Sequence, residues 1–222
     1  MNNKPLTKYK KKKIIECFSL ELTASQTAYL LKINRNTTNR YFKLIREALV
    51  HYQENSYLRF YGDIELDESY FGGHHKGNIG RSVKSKIPVF GILKRNGKVY
   101  TQIVPDVSSR TLKTIVKHKV REGSTIFSDS WRSYDGLIFY GYEHHRINHQ
   151  ISYVENAKNH INGIESFWSY AKMKLTKFYG IKPEYFYLYL KEYEFRFNNR
   201  NKNLSKIIWK IFADSYLNVG KC

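Results

Sequence analysis

Cysteine is nearly absent. The 222 residues contain only Cys17 and Cys222, which excludes a disulfide scaffold and a four-cysteine zinc site. Proline occurs four times, and no low-complexity tract stands out beyond Lys10–Lys13. No stretch approaches the roughly 18 unbroken apolar residues of a membrane span. The basic start (Lys4, Lys8, Lys10 to Lys13) is not followed by the apolar run of a secretory signal, so none is expected. Acidic residues are also scarce, 19 against 38 Lys and Arg, leaving a formal charge of +19.

What is present is aromatic and basic. Tyr occurs 19 times and Phe 13 times, and 41% of residues are hydrophobic, enough for a packed core and too much for a disordered chain. The length suits a medium domain with a small appendage, or two small domains. The positive excess is spread along the chain: residues 1–60 hold 12 basic and 4 acidic residues, and residues 61–222 hold 26 and 15. Both parts are therefore expected to be drawn to a polyanion, with nucleic acid the favoured partner through phosphate contacts and counterion release. The plainer reading is a soluble or ribosome-associated basic protein.

The first 60 residues read as helices. One spans Thr7 to about Leu20. A second begins after Thr23, with Gln26 completing a capping-box pattern, and a third runs from about Arg35 to Tyr52 after the turn Lys32-Ile33-Asn34. Tyr41, Leu44, Ile45 and Leu49 form its apolar face. Its opposite side is expected to offer Arg35, Asn36, Thr38, Asn39, Arg40 and Lys43. Short helix, tight turn and polar helix together make a helix-turn-helix pattern suited to base edges and phosphates in a major groove. An ordinary helical hairpin with a solvated face is the plainer alternative.

From Gly62 the texture changes. Asp63 to Asp67 alternates strictly, as in a strand. A glycine-rich basic loop follows (72–86), then strands at Pro88–Leu93 and Lys98–Val104 joined by the hairpin signal Asn96-Gly97. Ser108 or Ser109 caps a helix to about Val120, and Ser124–Phe127 is a strand ending near Asp129. Residues 131–138 are irregular or helical, and Glu143–Ile147 is a fifth strand. Helices cover about 158–177, Pro183–Asn198 and Leu204–Leu217. The order implies an α/β fold with a mixed sheet and flanking helices.

In so basic a chain, acids are informative. Asp63, Glu65 and Asp67 share one strand face and repel one another unless exposed or neutralised by a cation; an exposed edge strand is the alternative. Asp129 stands at the carboxyl end of a strand, where ligand sites of α/β sheets gather, although taken by itself an Asx-turn or helix N-cap is the plainer reading. On the helix that follows, Ile161, Ile164, Trp168, Ala171 and Leu175 form an apolar stripe. Asn162, Glu165, Ser169 and Lys172 form a second stripe about 100° away. A polyanion-binding protein gains little from acids unless a divalent cation bridges carboxylate and phosphate, and hard oxygen ligands suit Mg²⁺ or Mn²⁺. His144, His145 and His149 are either metal ligands or strand hydrogen-bonders. His160 can contact a phosphate or nucleophile, and Arg132 and Tyr134 can grip DNA or simply pack.

At these residues the sequence resembles bacterial insertion-sequence DDE transposases, specifically insertion-sequence family 1595 and its short subgroup. The resemblance rests on ELDESYFGG (65–73), VFGILKRNGKVY (89–100), SDSWRSY (128–134), HHRINH (144–149), HINGIESFW (160–168) and EFRFNNR (194–200). Covering roughly residues 62–200, it implies an RNase H-like catalytic domain with C-terminal helices (61–222), built on a mixed five-stranded sheet; the residue pattern before it is read as a small all-helical helix-turn-helix domain (1–60). The resemblance implies Mg²⁺-dependent cleavage of the element's ends and joining of the 3′-hydroxyl to target double-stranded DNA. Carried over by motif, the catalytic and metal-binding acids are Asp67, Asp129 and Glu165. Lys172, the helix-turn-helix residues and Arg132 would hold DNA, and His160 would assist. Some relatives use Asn as the third catalytic residue, which makes Asn162 a rival or helper of Glu165. Larger relatives carry an N-terminal zinc ribbon, which is not expected here because only Cys17 lies in that region. A homodimer or larger synapse in the bacterial cytoplasm, at the nucleoid, is implied. The alternatives are an RNase H-like nuclease that cuts without joining, and a non-catalytic helix-turn-helix regulator.

Overall fold

The computed structural model describes residues 6–56, 59–72, 86–129, 140–147, 160–178 and 181–217. In chain order the elements are α1 (Lys8–Ser19), α2 (Ala24–Leu31), α3 (Arg35–Asn55), β1 (Asp63–Phe71), β2 (Ile87–Lys94), β3 (Val99–Ile103), α4 (Ser109–Lys119), β4 (Thr125–Asp129), β5 (Glu143–Ile147), α5 (Asn162–Leu175), α6 (Pro183–Asn198) and α7 (Leu204–Tyr216). They form two compact units. One comprises Met1–Ser56 with Lys182–Cys222, the other Tyr57–Ile181. Among the described residues, no helix is long and apolar enough to cross a membrane.

The helical unit is built from well-capped pieces. Thr7, Asn34 and Asn203 accept hydrogen bonds from the first-turn amides of α1, α3 and α7. Thr23 and Gln26 complete the expected capping box on α2, and such caps contribute about 0.5–2 kcal/mol each. Lys32 closes α2 in the left-handed conformation (φ 49°), which turns the chain sharply into α3. The core gathers Ile14, Phe18, Phe42, Ile45 and Leu49 with Phe195 of α6 and Ile208, Ile211 and Phe212 of α7. Here the structure departs from the expected grouping, which attached α6 and α7 to the sheet domain. The apolar faces of α1 and α3 are too wide for a three-helix hairpin to cover alone, and α6 and α7 close them.

α6 also brings charge into this core. Glu192 accepts from Arg46 Nε at 2.7 Å and from Arg196 Nε at 2.8 Å, with all three side chains almost fully buried. Arg196 further donates to the carbonyls of Phe18 and Ser19 at the end of α1. Burial alone would raise the Glu192 carboxyl, but the two guanidinium groups hold it below the usual carboxylate range.

On α3, Arg35, Asn36, Asn39, Arg40 and Lys43 are exposed, as expected. Thr38 is not: it is fully buried, and its hydroxyl donates back to the Asn34 carbonyl at 3.3 Å. Thr38 lies four residues before Phe42 and seven before Ile45, so helical periodicity turns it into the core rather than toward a ligand.

In the second unit the sheet order is β3-β2-β1-β4-β5. β1, β2 and β3 form an antiparallel meander, while β4 and β5 run parallel to β1. The Asn96-Gly97 signal is the β2–β3 turn, with Asn96 at φ 56°. This is the expected α/β arrangement with five mixed strands and an RNase H-like order. β1 lies at the centre, so the acid-rich strand is not an exposed edge. Alternation sends Ile64 and Leu66 to one face, where they pack with Phe90, Ile92 and Ile126 against Leu112, Ile115 and Val116 of α4. The other face of β1 and β2 is covered by α5, whose Ile164, Phe167, Trp168 and Ala171 are buried. Trp168 comes so close that a Cβ on Gly91 would lie 2.5 Å from its Cζ2, which makes glycine the residue that admits the ring.

Candidate active site

Three elements carry the acids. Asp67 is the middle residue of β1 and Asp129 ends β4. The parallel register pairs Leu66 with Ser128, so one step further along these adjacent strands come Asp67 and Asp129. Glu165 stands in the first turn of α5, on the exposed stripe that flanks the buried Ile164 and Trp168. The sheet thus brings together two residues 62 positions apart in the chain, and packing of α5 on β1 adds the third.

Their proximity is written in the proton affinity of Asp67, which is pushed up to about 7. Burial is the largest cause, and the negative charges of Asp129 and Glu165 add to it; the Glu68 backbone amide opposes it. The Trp168 indole N–H also favours the ionised carboxyl slightly, while stopping short of hydrogen-bond geometry. The charged neighbours that raise Asp67 are both acids, so the fold gathers negative charge around it. Among the described residues, no three His, Cys, Asp or Glu side chains are drawn into a ready-made metal cage. The donor set nevertheless fits a hard divalent cation: oxygen ligands only, from three elements, with an ionisation deficit at Asp67 that a bound cation would relieve.

Glu65 takes a different course from Asp67. It is 1% exposed and accepts from Arg95 Nε at 3.0 Å and from the Ile164 backbone N–H at 2.8 Å. Asp63 is exposed. Of the expected row, only Asp67 therefore faces the other acids. His160 is half-buried just before α5; its carbonyl accepts from Arg95 and its Nδ1 lies 3.8 Å from Glu65 Oε1. Asn162 and Lys172 are exposed on α5, and the Lys172 ammonium sits 5.8 Å from the Phe71 ring. His144 shares a hydrogen bond with Ser128 (2.9 Å), and His145 pairs with Glu143 and stacks on Phe127, so this pair serves β5 and its neighbours. Arg132, Tyr134, His149 and most of the basic loop (73–85) lie outside the described residues.

Sequence reasoning missed Arg95, whose place in a hairpin turn carries no signal, and the indole N–H of Trp168. The only hint for Glu65 was its alternation with Asp67.

A five-stranded sheet in this order, with helices on both faces, defines the chain's second unit as an RNase H-like α/β fold. Comparison with known proteins gives the family. Residues 59–198 match the ISXO2-like transposase domain of insertion-sequence family 1595, and the chain belongs to that family. A Haemophilus influenzae protein described as an uncharacterized transposase-like protein is 52% identical over 102 residues, covering 46% of this chain and 82% of its own length. Among solved structures, the Mos1 strand transfer complex overlaps loosely, with a TM-score of 0.37 and 11% identity over 96% of this chain and 77% of that one. The Mos1 paired-end complex with the left transposon end gives 0.31 and 12%, over 96% and 82%.

Proposed function

We propose that the chain is a metal-dependent DDE transposase that cleaves the ends of an insertion sequence and joins the freed 3′-hydroxyl to target DNA. Asp67, Asp129 and Glu165 would hold two Mg²⁺ ions, or Mn²⁺, which when bound activate the attacking oxygen and stabilise the leaving oxygen of an in-line phosphoryl transfer. The observation that carries this reading is the parallel register of β1 and β4, which sets Asp67 beside Asp129, with the start of α5 packed on β1 so that the Glu165 charge acts on Asp67 as well. Such a site repels phosphate by itself, so acids here make sense in a DNA-binding protein only with cations between them.

The chain's other residues bind and orient. Lys172, two turns beyond Glu165 on the same exposed stripe, would meet a backbone phosphate. Arg35, Asn36, Asn39, Arg40 and Lys43 on the polar side of α3 form the helix-turn-helix surface that would read the element's ends, and Arg132 would add a phosphate contact. Asn162 borders the site one turn before Glu165 and would orient the substrate or share the third catalytic position. No side-chain nucleophile is required, because water and then the 3′-hydroxyl supply the attacking oxygen. Two ends must meet for joining, so the working form is a homodimer or larger synapse.

The test is nicking of a labelled duplex carrying the element's terminal sequence, in Mg²⁺. Asp129→Asn abolishes cutting; cutting at the wild-type rate would refute the assignment. Transfer of the cut strand to a second duplex separates a transposase from a nuclease that stops at cleavage.

A further inference from the structure

Glu65 has no part in the proposed chemistry, yet it is the most completely buried acid of the sheet unit's described residues, and both of its carboxylate oxygens are engaged. Its Oε2 accepts from the Ile164 N–H at 2.8 Å. Ile164 is the third residue of α5, and the N-cap residue Ile161 offers no side chain to satisfy the helix start. The cap comes instead from β1, and a carboxylate at a helix N-terminus also complements the helix dipole. The fit is tight: a Cβ on Gly163 would lie 2.7 Å from Glu65 Oε2. The other carboxylate oxygen accepts from Arg95 Nε at 3.0 Å. Arg95 in turn donates to the carbonyl of His160, just before α5, and its guanidinium lies 3.6 Å from the centre of the Phe127 ring.

Each tie ends beside one of the three acids. Glu65 is two residues before Asp67 on β1. Phe127 is two residues before Asp129 on β4. Ile164 immediately precedes Glu165 on α5. A buried ion pair is a poor way to add stability, since desolvation offsets the attraction and apolar replacements are often as stable. What it supplies is directionality, because two oxygens and a guanidinium accept only one arrangement of strand, turn and helix.

We infer that Glu65 and Arg95 form a positioning clamp that sets the start of α5, and with it Glu165, against Asp67 and Asp129. The inference rests on the reading of those three acids as the catalytic, metal-holding set. Neither clamp residue touches substrate or metal; both act through Glu165.

The test uses the full chain with Glu65→Gln, Arg95→Lys and Gly163→Ala, and Asp67→Asn as control. Three quantities are measured: thermal unfolding, binding of Mn²⁺ alone by electron paramagnetic resonance, and cleavage of a labelled terminal duplex. The Glu65→Gln amide oxygen still accepts from Ile164, so that protein folds; it binds Mn²⁺ about 10–100-fold more weakly. Cleavage slows by a similar factor in kcat, while KM for the duplex holds. Gly163→Ala leaves both charged groups in place while its methyl group pushes on Glu65: a modest loss of stability is expected, and in the folded protein Mn²⁺ affinity falls. If Glu65→Gln fails to fold, Gly163→Ala and Arg95→Lys decide alone. Mn²⁺ binding and cleavage within twofold of wild type in the folded clamp variants, with Asp67→Asn inactive, overturn the clamp and leave the catalytic reading standing. If Asp67→Asn also cleaves normally, the catalytic reading fails and the clamp falls with it.

Discussion

Replacing Asp67 by asparagine keeps the shape of the side chain and removes its charge. In the absence of divalent cations this change is expected to stabilise the protein. The carboxyl is pushed from 3.8 to about 7 by burial and by Asp129 and Glu165. At about 1.4 kcal/mol per pH unit, that is a ceiling of about 4 kcal/mol carried by the ionised form. Asp67 is only partly buried, so solvent screening reduces the effect to about 2 kcal/mol. The pH dependence has a definite sign. The folded state holds its proton more tightly than the unfolded chain, so wild-type stability falls as pH rises from about 4 through 7, and the deficit is complete above that. Asp67→Asn lacks this limb. In EDTA at pH 8 it should melt about 4–8 °C higher than wild type, and at pH 4 the two should coincide. Added Mg²⁺ at pH 8 should raise the melting temperature of wild type and leave the variant unchanged. Thermal unfolding followed by circular dichroism across this pH range, with and without Mg²⁺, tests the argument. A variant less stable than wild type at pH 8, or a difference independent of pH, would show that the acids do not share a site.

Three further expectations concern the rest of the molecule. Glu192→Ala leaves Arg46 and Arg196 buried without their counter-charge and should cost about 3–5 kcal/mol in urea unfolding; because Glu192 is held below its ordinary range, its contribution is present above about pH 4.5 and is lost on acidification. A loss under 1 kcal/mol would mean that the helical unit does not depend on this triad. Gly91→Ala drives a methyl group to 2.5 Å from Trp168 and should cost about 1–3 kcal/mol while slowing cleavage, since Trp168 and Glu165 share α5; unchanged stability would place the ring elsewhere. Arg40→Ala should weaken DNA binding evenly across sequences and reduce the slope of log affinity against log salt by about 1; an unaltered slope removes Arg40 from the phosphate contacts.

Much of the local structure was legible because its causes are local. Thr23 and Gln26 build their capping box within four residues. Asn96-Gly97 makes its turn from its own backbone preference. The α5 stripe from Ile164 to Leu175 is buried as its period requires, with Phe167 added. Thr38 misled because its polarity suggested a ligand contact while its position on the helix put it inside. The affiliation of α6 and α7 was hidden because an amphipathic helix specifies that it has a partner without specifying which.

Charge, aromatic content, helix starts, the strand alternation at Asp63–Asp67 and the motifs that mark the family are properties of neighbouring residues, and the amino-acid order alone determined them. Which acids meet, and what each one does, was decided by packing over long separations. β1 and β4 align in parallel to set Asp67 beside Asp129, α5 docks on Gly91 and Glu65, and Glu65 is withdrawn from the acid row by Arg95. Carboxylates two residues apart on one strand look equivalent in sequence. Only their surroundings in the folded chain separate one neutralised by arginine and a helix start from one left facing two other negative charges.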